Sequence, residues 1–283
     1  MGVKAKKIIA DSITFVFLTC LSLVFLFPIV TVFMNSFKKK IYLRKGKGDI
    51  FKMITKQSWT GLDNYKEGAA KTGMDDSIKV SAFVTVFSVI VLLLLTSMTA
   101  WYLVRVKNIA TSVIYYGFVF SMIVPFQMVM YTMTNFATTL GFNTTTGIAL
   151  LYVGFGSGMC VFMFSGFVKA IPYDVEEAAM IDGCSALQTF FRVVLPMLKP
   201  TLVTVGILET MWIWNDYLLP KLVLPPEIKT IPIAVDACLG SKGVYHLEWL
   251  MAMLVVAIIP IIIFYLCCQK HIIKGVAAGA VKG

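Results

Sequence analysis

Ile171-Pro-Tyr-Asp-Val-Glu-Glu-Ala-Ala-Met-Ile-Asp-Gly-Cys-Ser-Ala-Leu-Gln-Thr-Phe-Phe-Arg-Val-Val-Leu-Pro-Met-Leu-Lys-Pro200 is a polar island joining two apolar runs, 147–168 and 198–218. Each run approaches the ~20 residues a helix needs to cross the hydrocarbon core of a bilayer. Further runs at 12–34, 82–104, 112–134 and 249–269 bring the candidate spans to six. Backbone polar groups inside a bilayer must be satisfied within each segment, so these runs read as helices. Composition agrees: the chain is 58% hydrophobic and 14% charged, where a soluble domain carries about 25% charged residues. The expected fold is therefore all-α, a polytopic membrane protein forming a single transmembrane domain over 1–283.

Inside the island, the segment 172–196 reads as two short helices around a glycine turn. Asp174 followed by Glu177 matches a capping box, and Ser185 followed by Gln188 matches a second. Gly183 stands where a helix end favours a left-handed residue. Pro172 blocks a smooth exit from the preceding span, and Pro196 stops or kinks the second helix. Ala178, Ala179, Met180 and Ile181 give the first helix a small, smooth surface that another protein's backbone can approach closely. On pattern alone, an amphipathic hairpin lying on the membrane fits as well.

Net charge is +10, and in a membrane protein the placement of the positives matters. Lys4, Lys6 and Lys7, then Arg105 and Lys107, then Lys270, Lys274 and Lys282 all fall on one side if there are six spans. The positive-inside rule makes that side the cytoplasm, for both termini. The segment 35–80 then lies outside despite Lys38, Lys39, Lys40, Arg44, Lys45 and Lys47, since long loops translocate regardless of charge. Gly46-Lys47-Gly48 and Asp75-Asp76 read as breakers within it. Segment 219–248, with Pro220, Pro225, Pro226 and Pro232, reads as a second external loop, extended or re-entrant. Pro28, Pro125 and Pro260 are expected to kink their spans. The first span is too long for a signal peptide and has no small-residue cleavage pattern around Phe27-Pro28-Ile29, so it is expected to stay as a helix.

Several chemistries find no support. The six cysteines show no disulfide or zinc spacing and read as reduced, small apolar residues. His246 and His271 are too sparse for a metal or catalytic site. No G-x-x-x-x-G-K-[S/T] occurs, so the chain is not itself an ATPase. Neither H-E-x-x-H nor G-x-S-x-G occurs, which argues against an intramembrane hydrolase. No folded basic domain accounts for nucleic-acid binding, and Asn143-Thr144-Thr145 is an incidental sequon.

Glu177-Ala178-Ala179, Asp182-Gly183 and Leu195-Pro196 together resemble, at full spacing, the EAA loop of ABC importer permeases. Trp212-Ile-Trp-Asn-Asp-Tyr-Leu-Leu-Pro220 is similar to the W-N-D/E segment of sugar-importer permeases. The ending Gln269-Lys270 through Lys274-Gly275-Val-Ala-Ala-Gly-Ala-Val-Lys-Gly283 resembles theirs. Asn35-Ser36-Phe37-Lys38, Gly61-Leu62-Asp63-Asn64-Tyr65 and Arg105 also fit. The resemblance covers nearly the whole chain and points to carbohydrate-importer permeases of the type that includes the second maltose permease subunit, a type I importer fold.

The resemblance implies a bacterial cytoplasmic-membrane heterodimer with a second homologous permease, two ABC ATPase subunits or domains, an extracellular solute-binding protein and a sugar substrate. ATP and Mg would be held by the partner ATPase, with no cofactor on this chain. The loop would be the coupling helix seated in a cleft of the ATPase. Glu177 would pair with a basic residue there; capping alone is the plainer role for this residue. Ala178 and Ala179 would form the contact surface, Asp182 and Gly183 the turn, and Leu195 and Pro196 the link to the fifth span. A secondary transporter needing no ATPase is the alternative.

A substrate path is also legible. Glu209, Trp212 and Asp216 fall at i, i+3 and i+7, on one helix face. An intramembrane carboxylate is a functional hypothesis, acids accept hydrogen bonds from sugar hydroxyls, and an aromatic ring stacks on a pyranose. Against this, Trp212 and Asp216 also suit a membrane-interface belt. The W-N-D match supports a structural or gating role for Asn215 and Asp216.

Overall fold

In a computed structural model, the structure describes residues 3–43, 50–240 and 245–280, with side chains described for 11–43, 50–240 and 245–270. In chain order the helices are α1 (Val3–Asn35), α2 (Asp63–Thr72), α3 (Met74–Arg105), α4 (Ile109–Ile123), α5 (Phe126–Thr139), α6 (Thr145–Val168), α7 (Tyr173–Ile181), α8 (Ala186–Thr189), α9 (Leu195–Met197), α10 (Lys199–Asn215), α11 (Leu218–Val223), α12 (Ile231–Asp236) and α13 (Leu247–Ala280). A π-helical turn, Phe190–Val194, fills the space between α8 and α9. Among the described residues there is no strand, only an antiparallel bridge between Lys38 and Trp59.

Among the described residues, four helices are long and apolar enough to cross a membrane: α1 from Asp11, α3, α6, and α13 up to Lys270. The expected third span is a bent pair, and the expected fifth, carried by α10, begins at a bend from the hairpin's second arm. The chain turns by 105° between α4 and α5 and by 76° between Met197 and Lys199. Proline explains the first bend, because Pro125 sits extended as the N-cap of α5 and lacks the N–H that would continue α4. Pro28 and Pro260, in contrast, lie within continuous helices.

One loop reading needs correction and two gain detail. The segment 35–80 holds α2 and the first turns of α3. Asp75 and Asp76 do not break the chain; they occupy the first turn of α3, where the helix dipole favours acids. The turn between α2 and α3 falls instead on Gly73, whose φ of 72° suits glycine. Segment 219–248 contains short helices, α11 and α12 followed by a 3-10 turn at Ala237–Leu239. The Gly46-Lys47-Gly48 breaker lies outside the described residues.

The chain divides into two compact units, Met1–Met74 with Ala234–Pro260, and Asp75–Ile233 with Ile261–Gly283. In the first, Asn64 at the start of α2 donates to the carbonyls of Ser36 (2.8 Å) and Lys38 (2.9 Å). Tyr65 Oη and Ser36 Oγ lie 2.6 Å apart, and the Phe37 ring stacks on Trp59 at 5.0 Å. Two sequence-distant family-like segments, Asn35-Ser36-Phe37-Lys38 and Gly61-Leu62-Asp63-Asn64-Tyr65, are thus one knot. Lys38 is buried and donates to the Lys52 carbonyl, so part of the basic loop's charge is spent internally.

In the second unit, α6 is the central helix. Its Ile148, Ala149, Tyr152, Cys160, Val161 and Phe164 are fully buried, packing with Leu92 of α3 and Val205 of α10. Close approach is set by small residues. A Cβ on Gly158 would stand 2.6 Å from the Phe118 carbonyl oxygen, so α4 lies directly against α6 there. Ser88 Oγ donates to the Ala149 carbonyl at 3.0 Å, joining α3 to α6.

Candidate functional site: the coupling hairpin

The island 172–196 folds as a helix, a glycine turn and a second helix. Its first cap differs from the expected one. Pro172 is the N-cap of α7 and makes no side-chain capping bond, so Asp174 and Glu177 form no box. Proline presets the extended entry, and the helix starts at Tyr173, before Asp174 can act as a cap. Asp174 and Glu176 instead place negative charge in the first turn.

The exit of α7 is a full Schellman arrangement. Cys184 N donates to the Ala179 carbonyl (3.0 Å) and Gly183 N to the Met180 carbonyl (3.0 Å), with Gly183 at φ 89°. The second box is present. Ser185 N donates to Gln188 Oε1 at 2.9 Å, and Gln188 N donates to Ser185 Oγ at 3.4 Å. Beyond it the helix widens: Leu195 N donates to the Phe190 carbonyl, five residues back. Pro196 has no N–H for the Arg192 carbonyl, so the ordinary ladder fails at this place. The helix nonetheless passes through Pro196, and the bend comes at Leu198.

Glu177, Ala178, Asp182, Gly183 and Pro196 are exposed, while Ala179 and Leu195 are half-buried. The residues carried over for docking thus lie mostly on the outer surface of the hairpin. The inner surface is a small core of Val168, Ile171, Phe190, Val194 and Leu198, packed against Met98, Trp101 and Val104 of α3.

Sequence reasoning missed the residue that anchors this core. Glu176, neighbour of Glu177, has no exposed surface. Its Oε1 accepts from Arg105 Nη2 (2.6 Å) and Nε (3.0 Å), and its Oε2 accepts from Trp101 Nε1 (2.9 Å). A buried carboxylate is tolerated only with such partners. The available signal was helix phase: adjacent residues are about 100° apart on a helix, so two consecutive glutamates cannot serve one partner.

The second candidate group lies along α10. Trp212 is exposed and meets the Tyr152 ring edge-on at 5.5 Å. Asp216 Oδ2 accepts from Tyr152 Oη at 2.8 Å, and its Oδ1 accepts from Leu218 N at 3.0 Å. Asp216 therefore holds the first amide of α11 and ties α6 to the end of α10. Asn215 is exposed and donates to the Met211 carbonyl at 2.7 Å. Glu209 departs from this group. It is buried, accepts from Cys160 Sγ at 3.3 Å, and its Oε2 has no hydrogen-bond partner. That oxygen is 2.8 Å from where a Cβ on Gly156 would stand, so glycine there makes its room. The structure brings Trp212 and Asp216 together on Tyr152 and sends Glu209 into the core of α3, α6 and α10.

Comparison with known proteins agrees with this architecture. Residues 94–278 match the family described as binding-protein-dependent transport system inner membrane component. The probable starch degradation products transport system permease protein AmyC of Thermoanaerobacterium thermosulfurigenes is 37% identical over 93% of both chains. The multiple sugar-binding transport system permease protein MsmG of Streptococcus mutans is 32% identical, covering 95% of this chain and 96% of its own. Among solved structures, a chain of a bacterial ABC transporter involved in the import of alginate, an acidic polysaccharide, superposes with a TM-score of 0.77. It is 22% identical, the match covers 95% of this chain and 98% of that one, and it speaks to the fold. The apolar spans, the helix–glycine–helix loop and these likenesses agree: the chain belongs to the binding-protein-dependent transport system inner membrane component family and is a membrane permease of that class.

Proposed function

We propose that the chain is one of two homologous permease subunits of an ATP-driven importer for a sugar or oligosaccharide. ABC ATPase subunits binding ATP and Mg drive it, and an extracellular solute-binding protein supplies it. The observation that carries this reading is the division of α7: Glu176 is sealed inside while Glu177 and Ala178 face outward. A helix held firmly on one side and bare on the other is built to be grasped. The names of AmyC and MsmG, starch degradation products and multiple sugars, support the substrate class.

In this reading both termini and segment 172–196 are cytoplasmic in a bacterial inner membrane, and segments 35–80 and 219–248 are external. Glu177 pairs with a basic residue of the ATPase, Ala178 and Ala179 allow close backbone contact, Asp182 and Gly183 form the turn, and Leu195 and Pro196 lead into α10. On the substrate path, Trp212 and Asn215 are the exposed members that meet the sugar, while Glu209 and Asp216 hold the helix behind them.

The test is reconstitution with the ATPase and binding protein. Glu177→Ala lowers sugar-stimulated ATP hydrolysis while the chain still inserts. Normal stimulation in that variant refutes the docking role. Wild-type chain that transports sugar without capturing an ATPase favours a secondary carrier. Sugar stimulation unchanged by Glu209→Gln and Asp216→Asn refutes their supporting role behind the path.

A further inference from the structure

Arg105 is the last residue of α3, and its guanidinium gathers three separate pieces of chain. Besides Glu176 of α7, its Nη2 donates to the carbonyl of Ile171 at 2.9 Å and, more weakly, to that of Val168 at 3.3 Å. Val168 ends α6, and Ile171 lies in the connector. One fork-shaped cation therefore joins the end of α3, the end of α6 and the first turn of α7. Its planar array of donors suits such bridging. The Tyr173 ring lies under the guanidinium, 5.7 Å from Cζ to centroid.

Trp101, one turn earlier on the same face of α3, extends the joint. Its indole N–H holds Glu176 Oε2, and its ring meets Phe190 of the π turn at 5.5 Å. Both arms of the hairpin thus close on the end of α3. Both oxygens of Glu176 are engaged and Arg105 is only 16% exposed, so water offers little competition. A buried pair of this kind has one good geometry and poor alternatives. The covalent route from the hairpin into α10 is different. It runs through a widened turn and a 76° bend, where ladder hydrogen bonds are irregular.

We propose that Arg105, Glu176 and Trp101 are positioning residues that deliver displacement of α7 to α3 and α6, making α3 the receiving element ahead of α10, which follows the hairpin in sequence. The joint is the stiff path and the π turn is the compliant one. This rests on the proposed function, since it needs an ATPase to displace α7. None of the three residues touches sugar or nucleotide; they act through the helix they hold.

The experiment uses the complete transporter in proteoliposomes and reads sugar taken up per ATP hydrolysed. In Glu176→Gln that ratio falls, by roughly 2- to 30-fold, while ATPase subunits co-purify as with the wild type. Trp101→Phe, which removes one donor and keeps most of the ring volume, lowers the ratio less and in the same direction. A purely structural role would reduce uptake and hydrolysis together and leave the ratio unchanged; that result in either variant overturns the inference. If Glu176→Gln does not accumulate, Trp101→Phe decides. If the wild-type chain captures no ATPase, the proposed function fails and takes this inference with it. If capture is normal and the ratio holds in the variants, only the inference fails.

Discussion

Two buried carboxylates, one in each unit, are held in opposite ways. Glu176 has both oxygens occupied by three donors and no exposed surface. Glu248, near the start of α13, meets Lys40 Nζ and His246 Nδ1 through one oxygen only, each at 3.2 Å, while its buried Oε2 has no hydrogen-bond partner. Lys40 is 38% exposed, where Arg105 is 16%. The first arrangement is saturated and shielded; the second is under-satisfied at its carboxylate and half-exposed at its cation. Saturation rather than burial alone makes a joint rigid, since unpaired lone pairs let a side chain settle in several ways.

Substitutions can break or sharpen this contrast. The largest effect belongs to Arg105→Ala, which strands Glu176 among apolar residues and costs about 3–5 kcal/mol, read as a drop in the detergent-solubilised unfolding midpoint. Asn64→Ala comes next: it unmakes two hydrogen bonds to the Ser36 and Lys38 carbonyls and costs about 1–3 kcal/mol in the same measurement. Gly183→Ala forces a Cβ into left-handed backbone with open space around it, so it adds only backbone strain of about 1–2 kcal/mol, visible as a modest fall in coupled ATP hydrolysis. Lys40→Ala is the smallest at no more than about 1 kcal/mol, because the half-exposed Lys40 ammonium is solvent-screened and His246 still flanks the same oxygen. A Lys40→Ala effect as large as that of Arg105→Ala would erase the distinction between the two sites.

Much of this architecture was legible in the residues. Apolar length reveals spans because it needs only local composition, and the Ser185–Gln188 box and Gly183 turn are set by neighbours within three residues. The bend at Pro125 was announced by the proline itself, whereas the second bend falls at Leu198, two residues beyond the Pro196 expected to make it. Asp174 misled because Pro172 had already started the helix. Glu176 was invisible for another reason. Its partner Arg105 is 71 positions away, and nothing local distinguishes it from Glu177. Asn64 likewise bonds carbonyls 28 and 26 positions back. Glu209 and Asp216 share a helix face on paper, but the opening at Gly156 draws Glu209 inward while Tyr152 and the α11 amide claim Asp216.

The adjacency of Glu176 and Glu177 sets a rule about length. Between Pro172, which begins α7, and Glu176, which Arg105 holds, every residue inserted or removed turns the helix by about 100°. A single such change would rotate the anchoring acid out to solvent and present another side chain to the guanidinium. Drift by substitution remains open to exposed positions outside the docking surface, such as Asp174 or Val175. Drift by insertion or deletion between Tyr173 and Glu177 does not, so this stretch should keep its residue count among functioning homologues long after its surface has changed beyond recognition.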